Sequence, residues 1–273
     1  MQHMTLIVAH CIILCFLSAC KKEMGSNHST TVSDSVQIVL TGVTHSVNER
    51  IAGYYVGLPS NYYETNQTYP LLVYMPGAGQ FGNGSSDLPL LLNDGVLKTI
   101  NNKAFPGSFI VGGKSYSFIV FTPQVKNFPD ANDVNDCIAF AKKTWRIDGT
   151  RIYASGLSAG SIASCDLAAQ SPSEIAALVA MAGVPQDYSS TNKCQRIAAA
   201  RLPVWVFHSE DDPQISISVA KGFVAKVASL LPAIPPKLTV WPNGGHDAWT
   251  RAVDPSYKEN GLNIYEWMLQ YHR

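Results

Sequence analysis

The pentapeptide Gly156-Leu157-Ser158-Ala159-Gly160 puts a hydroxyl between two glycines, after the apolar run Arg151 to Ser155 and before a helix-compatible stretch, Ala159 to Gln170. A serine on a sharp turn from strand to helix is crowded by neighbouring backbone, and glycines two residues to either side relieve that contact. Such a turn holds Ser158 out at the rim of a sheet. The Ala159 N–H then opens a helix, has no helical acceptor, and can donate to an oxyanion formed beside the serine. This arrangement suits nucleophilic attack by Ser158 on an acyl carbon.

An alcohol needs a base and an orienting acid to become a nucleophile, and on a sheet of this kind they follow it in the order acid, then histidine. Leu202 to His208 reads as a buried strand running into the acidic turn Ser209-Glu210-Asp211-Asp212-Pro213. Lys237 to Trp241 reads as another strand. It breaks at Pro242-Asn243-Gly244-Gly245, and His246 follows on a glycine-loosened loop. His246 is the expected base. His3, His10, His28, His45 and His272 are badly placed to serve Ser158, and His208, ending a strand ahead of the acidic turn, suits a structural hydrogen bond to the loop.

With these motifs in register, the chain resembles the α/β-hydrolase superfamily, in the branch of polyhydroxybutyrate-depolymerase-like, feruloyl and acetylxylan esterases and the prolyl oligopeptidase type. The resemblance covers roughly residues 50 to 273. Tyr54 to Pro59 and Tyr69 to Gly79 resemble a strand pair ending in a His-Gly-x-Gly oxyanion loop. Pro76 stands where that family usually has histidine, and Ser209 where its acid turn usually has glycine. Proline has no N–H of its own, but both changes leave the amides of Gly77, Ala78 and Gly79 in place as donors. The resemblance implies Asp212 as the acid, with Asp211 second, and a second oxyanion donor from Gly77-Ala78-Gly79, at Ala78 ahead of Gly79. Asp247 is expected to accept a loop hydrogen bond instead. The implied reaction is two-step acyl transfer in which His246 takes the Ser158 proton and Asp212 fixes the imidazole tautomer. It requires no metal and no organic cofactor, and no Cys-x-x-Cys or His-Glu-x-x-His spacing is present.

Residues Met4 to Ala19 form an apolar run too short to span a bilayer, closing on Leu17-Ser18-Ala19-Cys20. This resembles the lipobox of a bacterial lipoprotein, which implies a signal peptide over 1–19, acylation of Cys20, and a membrane anchor. The next residues, to 34, read as a polar tether, and 35–273 as one catalytic domain. Lys21, where an Asp usually signals inner-membrane retention, implies the outer membrane.

Twenty basic and twenty acidic residues among 273 give no electrostatic footprint for nucleic acid. A domain of about 240 residues can bury around three-quarters of its unfolded surface. Strands are expected at Val36 to Leu40, Ile51 to Leu58, Leu71 to Met75, Ser117 to Thr122 and Ile175 to Met181. Helices are expected over Asp130 to Trp145, Ser216 to Leu231 and Glu259 to Tyr271. This alternation predicts an α/β fold, a mostly parallel doubly wound sheet flanked by helices with ligands beyond the strands' carboxyl ends. Beyond the signal and Cys20, three cysteines remain, Cys137, Cys165 and Cys194, and an oxidising compartment permits one disulfide, with Cys137 and Cys165 on neighbouring helices.

Gln80 to Ile100 and the loop at Trp249 are expected to wall the substrate pocket, with Gly79, Gln80 and Trp249 as candidate contacts. The leading expectation is an esterase removing acetyl or hydroxycinnamoyl groups from polysaccharide-derived esters. The alternatives are a serine peptidase of the prolyl oligopeptidase type and a tethered carbohydrate-binding lipoprotein without catalysis.

Overall fold

Alternation of buried side chains along β3 (Tyr69–Met75) shows how the sheet is built. Leu71, Val73 and Met75 enter one apolar layer, while Leu72 and Tyr74 enter another on the opposite face. A strand buried on both faces reads as a continuous apolar run, as expected when helices cover both sides of a parallel sheet. The computed structural model describes residues 36–189 and 192–273, which lie in a single compact unit. The signal-like run, Cys20 and the whole of the tether lie outside the described residues.

In chain order, β1 (Ile38–Val43) and β2 (Ile51–Pro59) precede β3. After it come α1 (Gly95–Asn101), the hairpin β4 (Phe109–Val111) and β5 (Lys114–Tyr116), β6 (Ile119–Val125) and α2 (Ala131–Thr144). The central unit follows: β7 (Ile147–Leu157), α3 (Ala159–Gln170) and β8 (Ala177–Met181). The chain then runs through α4 (Lys193–Ala199), β9 (Val204–Ser209), α5 (Ile217–Ser229), β10 (Lys237–Trp241), α6 (Trp249–Ala252) and α7 (Ile264–Leu269).

The main sheet has eight strands in the order β1-β2-β6-β3-β7-β8-β9-β10. Pairing is parallel from β6 through β10, and β2 is antiparallel to both β1 and β6. One apolar layer packs beneath α2, α3, α4 and α5, and the other beneath α1, α6 and α7. This is the expected doubly wound arrangement. It brings the carboxyl ends of β3, β7, β9 and β10 to one edge, with only β8 separating β7 from β9.

Local sequence accounts for most element limits. Asp130 caps α2, its side chain accepting from the amides of Asn132 (2.8 Å) and Asp133 (3.2 Å), while Asp133 returns a bond to the Asp130 amide. Such a cap contributes about 1 kcal/mol. Ser216 caps α5. The C-terminal helix is shorter than expected. Asn260 and Gly261 take positive φ angles (55° and 82°), Glu259 and Leu262 close a turn, and Asn263 restarts the chain as the cap of α7. An Asn-Gly turn beside a good capping residue therefore outweighs the helical spacing of Leu262 with the residues after it.

The segment 80–100, expected as a pocket wall with no element assigned to it, holds a five-residue 3-10 turn (Leu88–Leu92) and most of α1, whose Val96, Leu97 and Ile100 are buried. Cys137, Cys165 and Cys194 are free and buried, so the Cys137–Cys165 pairing permitted by the sequence is not formed. Burial raises all three thiol pKa values.

Candidate active site

Ser158 sits between β7 and α3 with φ 50° and ψ −118°, a positive φ that non-glycine residues seldom adopt. Its own amide donates to Met181 O at the end of β8 (2.9 Å), which holds the strained turn against the sheet. The flanking glycines are explained by close approach. A Cβ on Gly160 would lie 2.3 Å from Met75 O, and one on Gly156 would lie 2.6 Å from the Gly160 carbonyl carbon. The first turn of α3 thereby packs directly onto the end of β3. Ser161 Oγ fastens the same turn from the other side, donating to Gly183 O (2.5 Å) and accepting from the Met181 amide (2.9 Å).

The two loops beyond β9 and β10 bring the remaining groups to Ser158. His246 Nε2 lies 2.8 Å from Ser158 Oγ, and His246 Nδ1 lies 2.8 Å from Asp212 Oδ2. Asp212 Oδ1 accepts from the amides of Gln214 (2.8 Å) and Ile215 (3.0 Å). The carboxylate is fully buried, and the imidazole side chain is 10% exposed. Burial alone would raise the Asp212 pKa, but the bonds from His246, Ile215 and Gln214 outweigh it and hold the carboxyl below its usual range. It is therefore an anion at neutral pH, aimed at the imidazole nitrogen remote from Ser158.

The neighbouring acids do different work. Asp211 accepts from the Gly245 amide (2.8 Å) and the Gly244 amide (3.4 Å), tying the histidine loop to the acid turn. Gly244 and Gly245 both have positive φ, 143° and 59°. A Cβ at Gly244 would also lie 2.8 Å from the buried Ser209 Oγ, so the serine in the acid turn is accommodated by the glycine facing it. Glu210 pairs with Lys221 at the surface. Asp247 accepts from the Thr250 amide, the expected loop role.

On the β3 side, Ala78 opens a short 3-10 turn, Ala78–Gln80, with its amide at the turn's N-terminus. Gln80, expected as a substrate contact, is 3% exposed and wholly engaged inside the protein. Its Oε1 accepts from the Gly77 amide, and its Nε2 donates to Leu91 O (3.1 Å) and Asp94 O. It shapes the Gly77–Ala78 turn because a buried amide side chain settles where all its polar atoms find partners. Gly79 faces open space.

Trp249 packs edge-on to His246, with ring centroids 5.3 Å apart, and its Nε1 donates to Asp94 Oδ1 (3.3 Å). The indole thus braces the imidazole against the segment before α1. Sequence spacing gave no signal for Asp94. It also did not reveal that the buried His208 reaches the acid. Its Nε2 lies 2.8 Å from Ile215 O and 3.1 Å from Asp212 Oδ2. The i, i+4 separation from Asp212 across a strand end was the available clue. Among the described residues, no group of three or more His, Cys, Asp or Glu side chains is gathered to hold a metal ion.

No family model matches this sequence, and no curated protein is recognisably similar to it. Solved structures are similar in fold. A thermostable esterase superposes with a TM-score of 0.61 at 19% identity, covering 87% of this chain, which spans 64% of that one. A ferulic acid esterase gives 0.58 at 16% identity, covering 79% of this chain and 93% of its own. The feruloyl esterase module from Clostridium thermocellum, complexed with sinapinate, gives 0.55 at 16% identity, covering 79% of this chain and 83% of that one. With its strand order, its parallel core and the turn carrying Ser158, the chain has the α/β-hydrolase fold.

Proposed function

We propose that this chain is a serine carboxylic-ester hydrolase working through Ser158, His246 and Asp212. The observation that carries the proposal is the unbroken line of two 2.8 Å contacts from Ser158 Oγ through the imidazole to a buried, ionised carboxylate. As Ser158 Oγ attacks an ester carbonyl carbon, His246 Nε2 takes its proton. Asp212 accepts from Nδ1–H, keeping the Nε2 lone pair toward the serine and stabilising the imidazolium that forms. The amides of Ala159 and Ala78 donate to the developing oxyanion, and removing one such donor costs roughly 100- to 1000-fold in turnover. His246 then protonates the departing alcohol. Water, deprotonated by the same nitrogen, releases the acyl group.

The substrates we favour are acetyl or hydroxycinnamoyl esters of polysaccharide. The support is the fold shared with a ferulic acid esterase and with a feruloyl esterase module complexed with sinapinate. The Leu17 to Cys20 motif, outside the described residues, supports a lipid-anchored protein of the bacterial envelope, at the outer membrane. A Cys20→Ala chain should lose label from a palmitate analogue, and equal labelling of both would refute the anchor.

The activity is tested by fluorophosphonate labelling of the purified protein and of Ser158→Ala, followed by release assays on acetylated xylan, methyl ferulate and peptide amides. The expected result is labelling lost in the variant, with about a millionfold less ester turnover. Ester hydrolysis by Ser158→Ala at the parental rate would refute the site, and peptide turnover without ester turnover would make the protein a peptidase.

A further inference from the structure

Resting on that reading, we propose that His208 is a positioning residue for Asp212, held as a neutral imidazole that donates from Nε2. His208 lies near the end of β9, fully buried, and its place is set by a strand paired on both sides. Both atoms facing its Nε2 are acceptors: Ile215 O at 2.8 Å and Asp212 Oδ2 at 3.1 Å. A carbonyl oxygen and an ionised carboxylate cannot donate, so Nε2 carries the proton and shares it between them. Nδ1 is buried with no hydrogen-bond partner among the described residues. An N–H there would be a desolvated donor without an acceptor, which is costly, whereas a lone pair costs less. The two nitrogens therefore agree on one tautomer.

The consequence is a closed loop of bonds around the acid. Ile215 gives its amide to Asp212 Oδ1 and its carbonyl to His208, while His208 gives its proton to both Ile215 and Asp212. The acid turn is thus pinned to β9 at the level of the carboxylate itself. Asp212 Oδ2 receives the two imidazoles and Oδ1 the two amides, so rotation of the carboxylate would break several bonds at once. A group held this way presents Oδ2 to His246 without reorganising as charge develops on that ring. His208 touches neither Ser158 nor the reacting carbon. Its effect runs through Asp212.

Two measurements on the full chain test this. Long-range 1H–15N spectra of the histidine rings at neutral pH, with the His208 signal identified by its absence from His208→Gln, should show a neutral ring protonated on Nε2. A ring protonated on Nδ1, or on both nitrogens, would overturn the proposal. In steady-state hydrolysis of p-nitrophenyl acetate, His208→Leu should lower kcat at least tenfold with KM within twofold. His208→Gln, which restores a donor near the Nε2 position, should return kcat to within threefold of the parent. A folded His208→Leu enzyme with parental kcat, or a Gln variant no better than Leu, would refute it. Should the Leu variant fail to fold by circular dichroism, the ring spectra and the Gln variant decide. A parent chain inactive on every ester would sink the proposed function, while the spectra would still report on His208.

Discussion

Replacing Asp212 with asparagine changes one oxygen to an NH2 group, and the surrounding bonds determine what that does. The carboxylate accepts from two backbone amides at Oδ1 and lies against two imidazoles at Oδ2. The asparagine oxygen must take the Oδ1 place, because otherwise two main-chain N–H groups would face an NH2. Its nitrogen then faces His246 Nδ1 and His208 Nε2. A hydrogen donated to His246 Nδ1 forces the ring proton onto Nε2, where it points at Ser158 Oγ and the base function is lost. In another serine hydrolase the same exchange lowers kcat about 10,000-fold, which corresponds to roughly 5 kcal/mol of barrier. Here the second amide hydrogen also meets the His208 N–H, two buried donors in conflict, at a cost in stability of about 1–3 kcal/mol. The expected result is therefore a folded, less stable protein whose kcat falls about 10,000-fold with little change in KM. Initial rates on p-nitrophenyl acetate, with Ser158→Ala as background, measure the first effect, and urea unfolding measures the second. An Asp212→Asn enzyme within tenfold of parental kcat would refute the assignment of the acid, most directly if Asp211→Asn lost activity instead.

Other expectations follow from single contacts. Asp211→Ala frees the Gly244 and Gly245 amides, so kcat should fall about tenfold while thermal stability changes little, because these bonds are exposed. Unchanged steady-state kinetics would show that the histidine loop holds itself. Gly160→Ala drives a methyl group against Met75 O at 2.3 Å, backbone that cannot swing aside, and should cost about 1–3 kcal/mol in urea unfolding or more. Parental stability there would mean that the turn carrying Ser158 can move away from β3 at little cost. Burial raises the pKa of Cys137 and Cys165 well above the ordinary thiol value, so at pH 8 both are protonated as well as shielded. They should react with an aromatic disulfide reagent only after denaturation, and rapid reaction of both in native buffer would contradict their burial.

Much of the architecture was legible because it depends on residues close together in the chain. The alternation of β3, the Asp130 cap and the limits of α3 at Ala159 and Gln170 reflect backbone preference and side-chain period, which operate over a few residues. The glycines around Ser158 likewise announce a crowded turn before anything shows what crowds it. Where local signals compete, spacing misleads. Leu262 falls on the helical period of Tyr265 and Leu269, yet Asn260-Gly261 and Asn263 cut α7 to six residues.

The candidate site divides along the same line. Residue types and their order placed Ser158, the acid turn and His246 at strand ends, because a nucleophile, its base and its acid belong at the carboxyl edge of a parallel sheet. Which acid faces the imidazole is a matter of where β9 and β10, paired in parallel, release their loops. That pairing sets Asp212 against His246 and turns Asp211, one residue earlier, to the glycine amides. Gln80 shows the same dependence, a polar side chain on a promising loop that tertiary contacts drew inward to Leu91 and Asp94. Sequence alone determined which chemical groups this protein carries to the edge of its sheet. Only the tertiary structure decided their hydrogen-bond partners, because such bonds require distances within a few tenths of an ångström between residues as far as 88 positions apart for Ser158 and His246 and 155 for Asp94 and Trp249.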